Sequence, residues 1–196
     1  MSTLNDQYYI QQVIAGNVKA FEVVVDQYKN LVFSLTLRML KSREEAEEAA
    51  QDTFIKIYKS LSKFKGDSKF STWIYKITYN TCLDRLKKDK NAPELLNLEE
   101  FNEHHVLSTE VILDTIDEKK RRQIIQECIH LLPSEEAFLL TLYYFEEQSL
   151  EDISKIMNVN TNNLKIKLFR SRKKMATILK TKLEPEIIDY YESGRK

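Results

Sequence analysis

The segment SLEDISKIMNVNTNNLKIKLFRSRKKM, residues 149–175, contains two helical patterns separated by a short turn. The first pattern places Ile153 and Ile156 on one face of a short helix. Asn158 stands where such a connection often requires a left-handed backbone, which Asn tolerates. Two helices joined in this way are typical of a helix-turn-helix, whose second helix enters the major groove of DNA.

The second helix of this motif has a basic face that also carries apolar side chains. Leu164, Leu168 and Met175 are predicted to face the core. Phe169, next to Arg170, is an apolar side chain on the outward face, and on DNA it could contact a thymine methyl group or a sugar edge. An ordinary basic amphipathic helix is the alternative interpretation. The side chains predicted to face duplex DNA are Asn163, Lys165, Ile166, Lys167, Phe169, Arg170 and Lys173.

The composition predicts an all-α protein. The 196 residues include only three Gly and three Pro, and good helix formers are abundant. Pro93 opens an acidic, weakly periodic stretch that separates two helical regions. We therefore predict two helical domains joined by an acidic linker, with a tail after the second domain. The predicted limits are 1–90 for the first domain, 91–116 for the linker, 117–183 for the second domain and 184–196 for the tail.

Helical periodicity and boundary residues predict four helices in each domain. Gly16 ends the first helix and Asn17 caps the second. Ser42 opens the third with a capping box, and Ser71 or Thr72 caps the fourth. The first domain has predicted helices over about 5–15, 18–40, 42–61 and 73–88, and the second has one ending at 132, two beginning at 134 and 149, and one over 162–179.

Charge is arranged in blocks of one sign, although the net charge is zero. Residues 55–90 carry ten Lys or Arg and three Asp, and residues 155–182 carry nine bases and no acid. Between them, residues 91–118 carry eight acids and no base. Basic blocks of this kind favour a polyanionic partner, most commonly nucleic acid. Two ordinary solvated helix faces are the alternative.

The sequence has few of the features that metal sites, disulfides and membrane-spanning segments require. Cys82 and Cys128 are isolated, so we expect neither a zinc site nor a disulfide, and we expect a reducing compartment. His104 and His105 lack further ligands nearby. No segment is apolar enough to span a bilayer, and the N-terminus does not resemble a signal peptide. We expect no cofactor and no membrane insertion.

The segment FKGDSKFSTWIYKITYN, residues 64–80, mixes aromatic residues with lysines. Phe70, Trp73, Ile74 and Ile77 are predicted to anchor a helix to its own domain. The loop around Gly66 and the nearby polar side chains are then left to contact a partner.

Two parts of the sequence resemble the extracytoplasmic-function (ECF) sigma factors of bacterial RNA polymerase. Residues 132–175, LPSEEAFLLTLYYFEEQ followed by the opening segment, resemble their region 4. Residues 20–88 resemble their region 2, most specifically in AEEAAQDTF (46–54) and FKGDSKFSTWIYKI (64–77). The resemblance implies a region 2 bundle, a region 4 helix-turn-helix and a non-enzymatic promoter-specificity subunit of the bacterial cytoplasm.

The resemblance also implies three contact surfaces and a regulator. The 46–54 helix would dock on the clamp helices of the largest polymerase subunit through Glu47, Glu48, Gln51 and Asp52. A pocket near Asn80 would take a base of the melted −10 strand. The last helix would read the −35 element, the linker would approach the polymerase active site, and an anti-sigma factor is expected. The implied −10 residues are Phe64, Lys65, Gly66, Asp67, Ser68, Lys69, Lys76 and Asn80.

The sequence departs from the family pattern at several positions, so the promoter preference of relatives does not transfer to it. Two other functions also stay open. Asn158 replaces the usual Gly, and Asn162, Asn163 and Ile166 differ from the usual start of the recognition helix. One alternative is a stand-alone regulator that uses only the helix-turn-helix. The other is a metal-dependent nucleotide hydrolase, which would need a second carboxylate cluster on a facing helix. Its candidate ligands are Glu44, Glu45, Glu48 and Asp52.

Overall fold

The structure, a computed structural model, describes residues 3–88 and 118–182. Within these two ranges the chain forms α-helices and one short 3-10 turn, with no strand, which confirms the all-α class. The predicted linker and tail lie outside the described residues. The helices are α1 (Thr3–Ile14), α2 (Val18–Leu40), α3 (Arg43–Ser60), α4 (Phe70–Lys88), α5 (Glu118–Leu131), α6 (Ser134–Tyr144), α7 (Leu150–Met157) and α8 (Thr161–Lys182), and the 3-10 turn is Leu61–Lys63.

The described residues divide into two compact units. The first contains α1 to α4 together with residues 151–159, and the second contains residues 118–150 and 160–182. The domain limits predicted at residues 90 and 117 fall outside the described ranges and stay predictions.

In the first unit, α2 packs against α1, α3 and α4 around a shared apolar core. A buried polar contact fixes α1 to α2: the Tyr28 hydroxyl and the Gln27 amide each donate to one carboxylate oxygen of Asp6, both at 3.0 Å. Burial first, and then the Asp6 carboxylate, raise the pKa of Tyr28. The core residues are Ile10, Val13, Ala20, Val24, Tyr28, Val32, Ala50, Ile57, Leu61, Phe70 and Ile74.

The helix boundaries confirm one predicted cap and correct two others. The Ser42 hydroxyl accepts from the Glu45 backbone N–H at 3.4 Å, as the capping box predicts. The Asn17 side chain does not cap α2, because its amide instead donates to Gln12 at 3.5 Å. Helix α4 begins at Phe70, three residues before the predicted start. Phe70 is buried against the core, and this packing extends the helix by almost one turn.

In the second unit, α6 is the central helix. Its residues 137–142 are all buried, so more than one face is covered, and both α5 and α8 pack against it. Pro133 precedes α6 and separates it from α5, as predicted. Helix α8 continues to Lys182, beyond the predicted end at residue 179, and the Lys182 ammonium lies 3.7 Å from Glu127 of α5.

Candidate polymerase and nucleic-acid interfaces

Helix α3 presents an acidic stripe, which we define as Glu47, Glu48, Gln51 and Asp52. The opposite face of the helix is buried at Ala46, Ala49 and Thr53. Residues four positions apart are neighbours on a helix surface, so Glu47 lies beside Gln51 and Glu48 beside Asp52. The two pairs are about 100° apart round the axis, and both lie on the outer side. Three of them are exposed and Asp52 is half-buried. The structure therefore groups all four predicted polymerase-binding residues on one surface.

Two residues outside the stripe form ion pairs with its carboxylates. Arg85 of α4 donates to Glu48 Oε2 at 2.9 Å and to Asp52 Oδ2 at 2.5 Å. Hydrogen bonds to Asp52 and Glu48 raise the pKa of the Arg85 guanidinium. Arg43 Nε donates to Glu47 at 2.9 Å within α3 itself. The stripe is therefore a set of carboxylates partly neutralised by the chain's own arginines.

The loop between the 3-10 turn and α4 carries the exposed part of the predicted −10 surface. Lys65, Gly66, Asp67 and Lys69 are all exposed, and Ser68 is half-buried. Gly66 has φ +80°, a conformation that L side chains rarely adopt, and a Cβ there would meet no atom within 4 Å. The glycine is therefore needed for the backbone path of the loop and not for space.

An aromatic cluster anchors this loop. The Phe64 ring lies 5.2 Å from Phe70 and 5.4 Å from Trp73, and the Phe70 and Trp73 rings stack at 5.7 Å, measured between centroids. Phe64, Trp73 and Ile77 are partly buried against the core that contains Phe70 and Ile74. The predicted anchoring of α4 is confirmed. Phe64 belongs to the same cluster, so its predicted role in DNA binding rests on the exposed remainder of its ring.

Asn80 lies in an open cleft between α3 and α4. The side chains of Lys76 and Asn80 are both exposed and lie one helical turn apart on α4. None of the loop residues 64–69 lines this cleft in the described part of the chain. The cleft has a volume of about 370 Å³ and is lined by Lys56, Lys59, Ser60, Lys63, Ile77 and Asn80.

The turn between α7 and α8 has the predicted left-handed residue. Asn158 has φ +54°. The Ser154 hydroxyl donates to the Val159 carbonyl at 2.8 Å, and the Val159 N–H donates to the Ser154 carbonyl at 3.1 Å. Asn160 Oδ1 accepts from the Asn162 N–H at 2.8 Å at the start of α8. These bonds satisfy the backbone of the turn and fix where α8 begins.

The outer face of α8 contains most of the predicted −35 residues. Asn163, Lys165, Ile166, Phe169 and Arg170 are exposed, and 52% of the Ile166 surface is accessible to solvent. A large apolar side chain this open on a helix that also carries exposed cations is consistent with a face that meets a partner.

Lys167, Lys173 and Met175 differ from the prediction. Lys167 is half-buried because its ammonium pairs with Glu135 of α6. Lys173 is half-buried and lies over the Phe169 ring, 4.6 Å from its centroid. Met175 was expected in the core but is only half-buried. Because eleven residues make about three full helical turns, Met175 lies on the same face as Leu164 and Leu168, so its position round the helix axis does not explain its partial exposure.

Further contacts hold α8 on α6. Lys174 donates to Glu136 at 2.7 Å, and the Arg172 guanidinium lies 5.2 Å and 5.5 Å from the ring centroids of Tyr143 and Tyr144. Part of the basic charge of α8 is therefore used inside the protein, and the exposed residues are left for a partner.

The described residues contain no group of three His, Cys, Asp or Glu side chains arranged to hold a metal ion. Glu48 and Asp52, proposed ligands of the hydrolase alternative, pair with Arg85 instead. Cys82 and Cys128 are free and buried, and burial raises the pKa of the Cys82 thiol to about 12. Among the helices of residues 3–88 and 118–182, none combines the length and the apolar composition that spanning a lipid bilayer requires.

Three residues that the structure places at these surfaces, Arg85, Lys59 and Lys63, were not predicted from the sequence. Lys56, Lys59 and Lys63 are spaced three and four residues apart, so helical periodicity alone could have placed them on one face of α3 and its 3-10 extension. Arg85 gave no such signal, since its role depends on the packing of α4 against α3.

Together, these features define an all-helical DNA-binding protein of the helix-turn-helix class with a separate helical bundle that carries an acidic stripe. Residues 24–92 match the family model for Sigma-70 region 2, and residues 122–175 match that for Sigma-70, region 4. The chain therefore contains both of these sigma-70 regions, and it is a promoter-recognising sigma factor.

Curated relatives match almost the whole chain. The ECF RNA polymerase sigma factor SigW of Bacillus subtilis is 32% identical over 169 residues, covering 83% of this chain and 90% of the relative. The ECF RNA polymerase sigma-E factor of Haemophilus influenzae is 31% identical over 188 residues, covering 93% and 97%. The chain therefore belongs to the ECF sigma factors of bacterial RNA polymerase. Sigma factors initiate transcription without being enzymes themselves.

Two solved structures share the fold. The sigma factor RpoE in complex with the anti-sigma factor NepR, from Bartonella quintana, has a TM-score of 0.60 and 17% sequence identity, covering 83% of this chain and 98% of that chain. CnrH in complex with the cytosolic domain of CnrY has a TM-score of 0.52 and 17% identity, covering 90% and 98%.

Proposed function

We propose that this sigma factor binds core RNA polymerase through the acidic stripe of α3 and reads its promoters with α4 and α8. It would act in the bacterial cytoplasm, where the polymerase works, and have no catalytic activity of its own. The observation that carries the proposal is that one chain combines the acidic stripe with the exposed face of α8. A regulator that binds only duplex DNA needs no such stripe.

The acidic stripe would dock on the clamp helices of the largest polymerase subunit. Glu47, Glu48 and Gln51 are exposed, and each carboxylate that pairs with an arginine keeps one oxygen free of that pair. Charge-assisted hydrogen bonds to cationic side chains of the clamp would be the main attraction. This assignment rests on family likeness together with the exposure of the stripe.

The melted −10 strand would bind along the loop 64–69 and the cleft that contains Asn80. Lys65 and Lys69 lie exposed in the loop, and Lys59 and Lys63 line the cleft. Lysines hold the backbone of a single strand, and an Asn amide hydrogen-bonds to a base edge. The two groups of lysines extend the predicted −10 surface from the loop toward α3.

The outer face of α8 would read the −35 duplex. Asn163, Lys165, Ile166 and Phe169 are exposed together with Arg170 near the N-terminal half of the helix, the part that enters the major groove in helix-turn-helix proteins. Arg170 could donate hydrogen bonds to guanine, and the apolar residues could contact thymine methyl groups. Lys167 and Lys173 remain candidates for phosphate contacts, although both are partly engaged within the protein.

An anti-sigma factor is a further proposed partner. Of the two proteins with the same fold, the sigma factor RpoE was solved with the anti-sigma factor NepR bound, and CnrH was solved with the cytosolic domain of CnrY bound. A protein with the same architecture that is held inactive until a signal arrives would need a partner of this kind.

Transcript-start mapping tests the proposal. Core polymerase is incubated with this protein and with fragments of the genome that encodes it, and the 5′ ends of the transcripts are sequenced. We expect start sites that appear only with the protein and that share two upstream elements. Failure to bind core, with no transcript from any fragment, would contradict the proposal. Tight duplex binding without polymerase would favour the stand-alone regulator.

A further inference from the structure

We infer that Arg85 is a positioning residue for polymerase binding: it holds two carboxylates of the acidic stripe in the orientation that core polymerase recognises. The inference rests on the proposed docking role of the stripe. Arg85 lies on α4, the helix that carries Asn80, and not on the helix that would dock.

The contact geometry supports this role. The two terminal nitrogens of Arg85 bind different carboxylates, Glu48 at 2.9 Å and Asp52 at 2.5 Å. Glu48 and Asp52 are one turn apart on α3, so the planar guanidinium bridges successive turns. The Arg85 side chain is 26% exposed, whereas those of Glu48 and Asp52 are 62% and 49% exposed. The cation therefore lies deeper than the carboxylates, which leaves their other oxygens toward solvent.

Pairing of this kind has two opposing effects on a cationic partner. It removes rotamer freedom from both carboxylates before binding, which lowers the entropic cost of docking. It also offsets negative charge, which weakens long-range attraction and slows association. The ordering of the carboxylates acts in the bound complex, at hydrogen-bond distance. The loss of long-range attraction is screened by salt. At physiological ionic strength we therefore expect the ordering of the carboxylates by Arg85 to outweigh the masking of their negative charge.

A second ion pair between the same helices supplies a matched control. Lys56 of α3 lies 3.3 Å from Asp84 of α4, and neither residue belongs to the acidic stripe. If Arg85 only joined α3 to α4, breaking either ion pair would have the same consequence for polymerase binding.

The test measures association and dissociation rates of the full chain with immobilised core polymerase. We expect Arg85→Ala to raise Kd about three- to tenfold through faster dissociation, since ordering each side chain is worth about 0.5–1.5 kcal/mol. Arg85→Lys, which offers a single ammonium in place of the fork, should recover part of the loss. Asp84→Asn should leave Kd unchanged.

Other results would overturn the inference. An unchanged or lower Kd for Arg85→Ala would show that Arg85 only masks the carboxylates. Equal weakening by Asp84→Asn would show a structural link and nothing more. Glu48→Ala and Asp52→Ala separate this inference from the proposed function: if neither weakens binding, the docking surface itself is wrong, whereas if both do and Arg85→Ala does not, only the positioning role fails.

Discussion

Replacing Arg170 with Ala tests the proposed reading of the −35 element most directly. Arg170 is exposed on α8, and no ion pair or hydrogen bond of its side chain occurs in the described residues, so little internal packing is lost. Exposed substitutions of this kind usually change the free energy of unfolding by about 0.5 kcal/mol or less. Any large effect on transcription must then come from the lost contact with DNA.

The size of the effect follows from the contact that Arg170 would make. A bidentate pair between Arg and guanine is worth about 1–3 kcal/mol of discrimination, which corresponds to roughly 5- to 150-fold in affinity. We therefore expect Arg170→Ala to lower holoenzyme affinity for the cognate −35 element by that factor and to leave affinity for mismatched elements almost unchanged.

The assay compares the holoenzyme on a mapped promoter and on variants with single −35 substitutions, by competition binding. Lys182→Ala is the matched control, because it removes a cation from the far end of the same helix and should not alter the ratio between sites. Equal loss on every sequence would refute base reading by Arg170 and make it a phosphate contact.

Three further predictions concern the first unit. Asn80→Ala should slow promoter opening, detected by permanganate reactivity of melted thymines, without weakening core binding; equal loss of both would argue against a base pocket. Joint replacement of Lys59 and Lys63 by Ala should lower holoenzyme affinity for a labelled single-stranded −10 oligonucleotide by several-fold. The control Lys19→Ala, which removes an exposed cation from α2, should leave this affinity unchanged. An equal loss for the control would contradict binding of the strand in the cleft. Burial raises the pKa of Cys82 from 9.0 to about 12, so the unfolded chain loses this proton first and the free energy of unfolding should fall as pH rises from 9 to 12. Denaturant titrations across that range should show a shallower decline for Cys82→Ala, and an identical decline would contradict the burial effect.

Local sequence signals predicted most helix boundaries. Helix α2 spans the predicted residues 18–40, and Ser42 caps α3. The bounds of α2 and the cap of α3 depend on side chains within a few positions of each other, so local sequence is enough to predict them. Ser71 and Thr72 look like caps for the same local reason, but burial of Phe70 in the core outweighs that preference and moves the start of α4.

The parts of the site that sequence reasoning missed depend on contacts between helices. Lys167 has the position of an outward-facing cation on an isolated α8, and only the packing of α6 brings Glu135 to it. Arg85 lies 33 residues from Asp52 along the chain. Helical periodicity assigns a residue to a face of its own helix, and it carries no information about which charge a neighbouring helix places opposite that face.

The ion pairs of α8 have a consequence for how this sigma factor responds to salt. Lys174 and Lys182, which are not among the residues proposed to contact DNA, pair with Glu136 of α6 and Glu127 of α5. A cation already neutralised within the protein displaces no counterion from DNA, and each phosphate contact contributes a slope of about −0.9 to log K against log salt concentration. The −35 contact should therefore be less sensitive to ionic strength than the nine bases of residues 155–182 suggest.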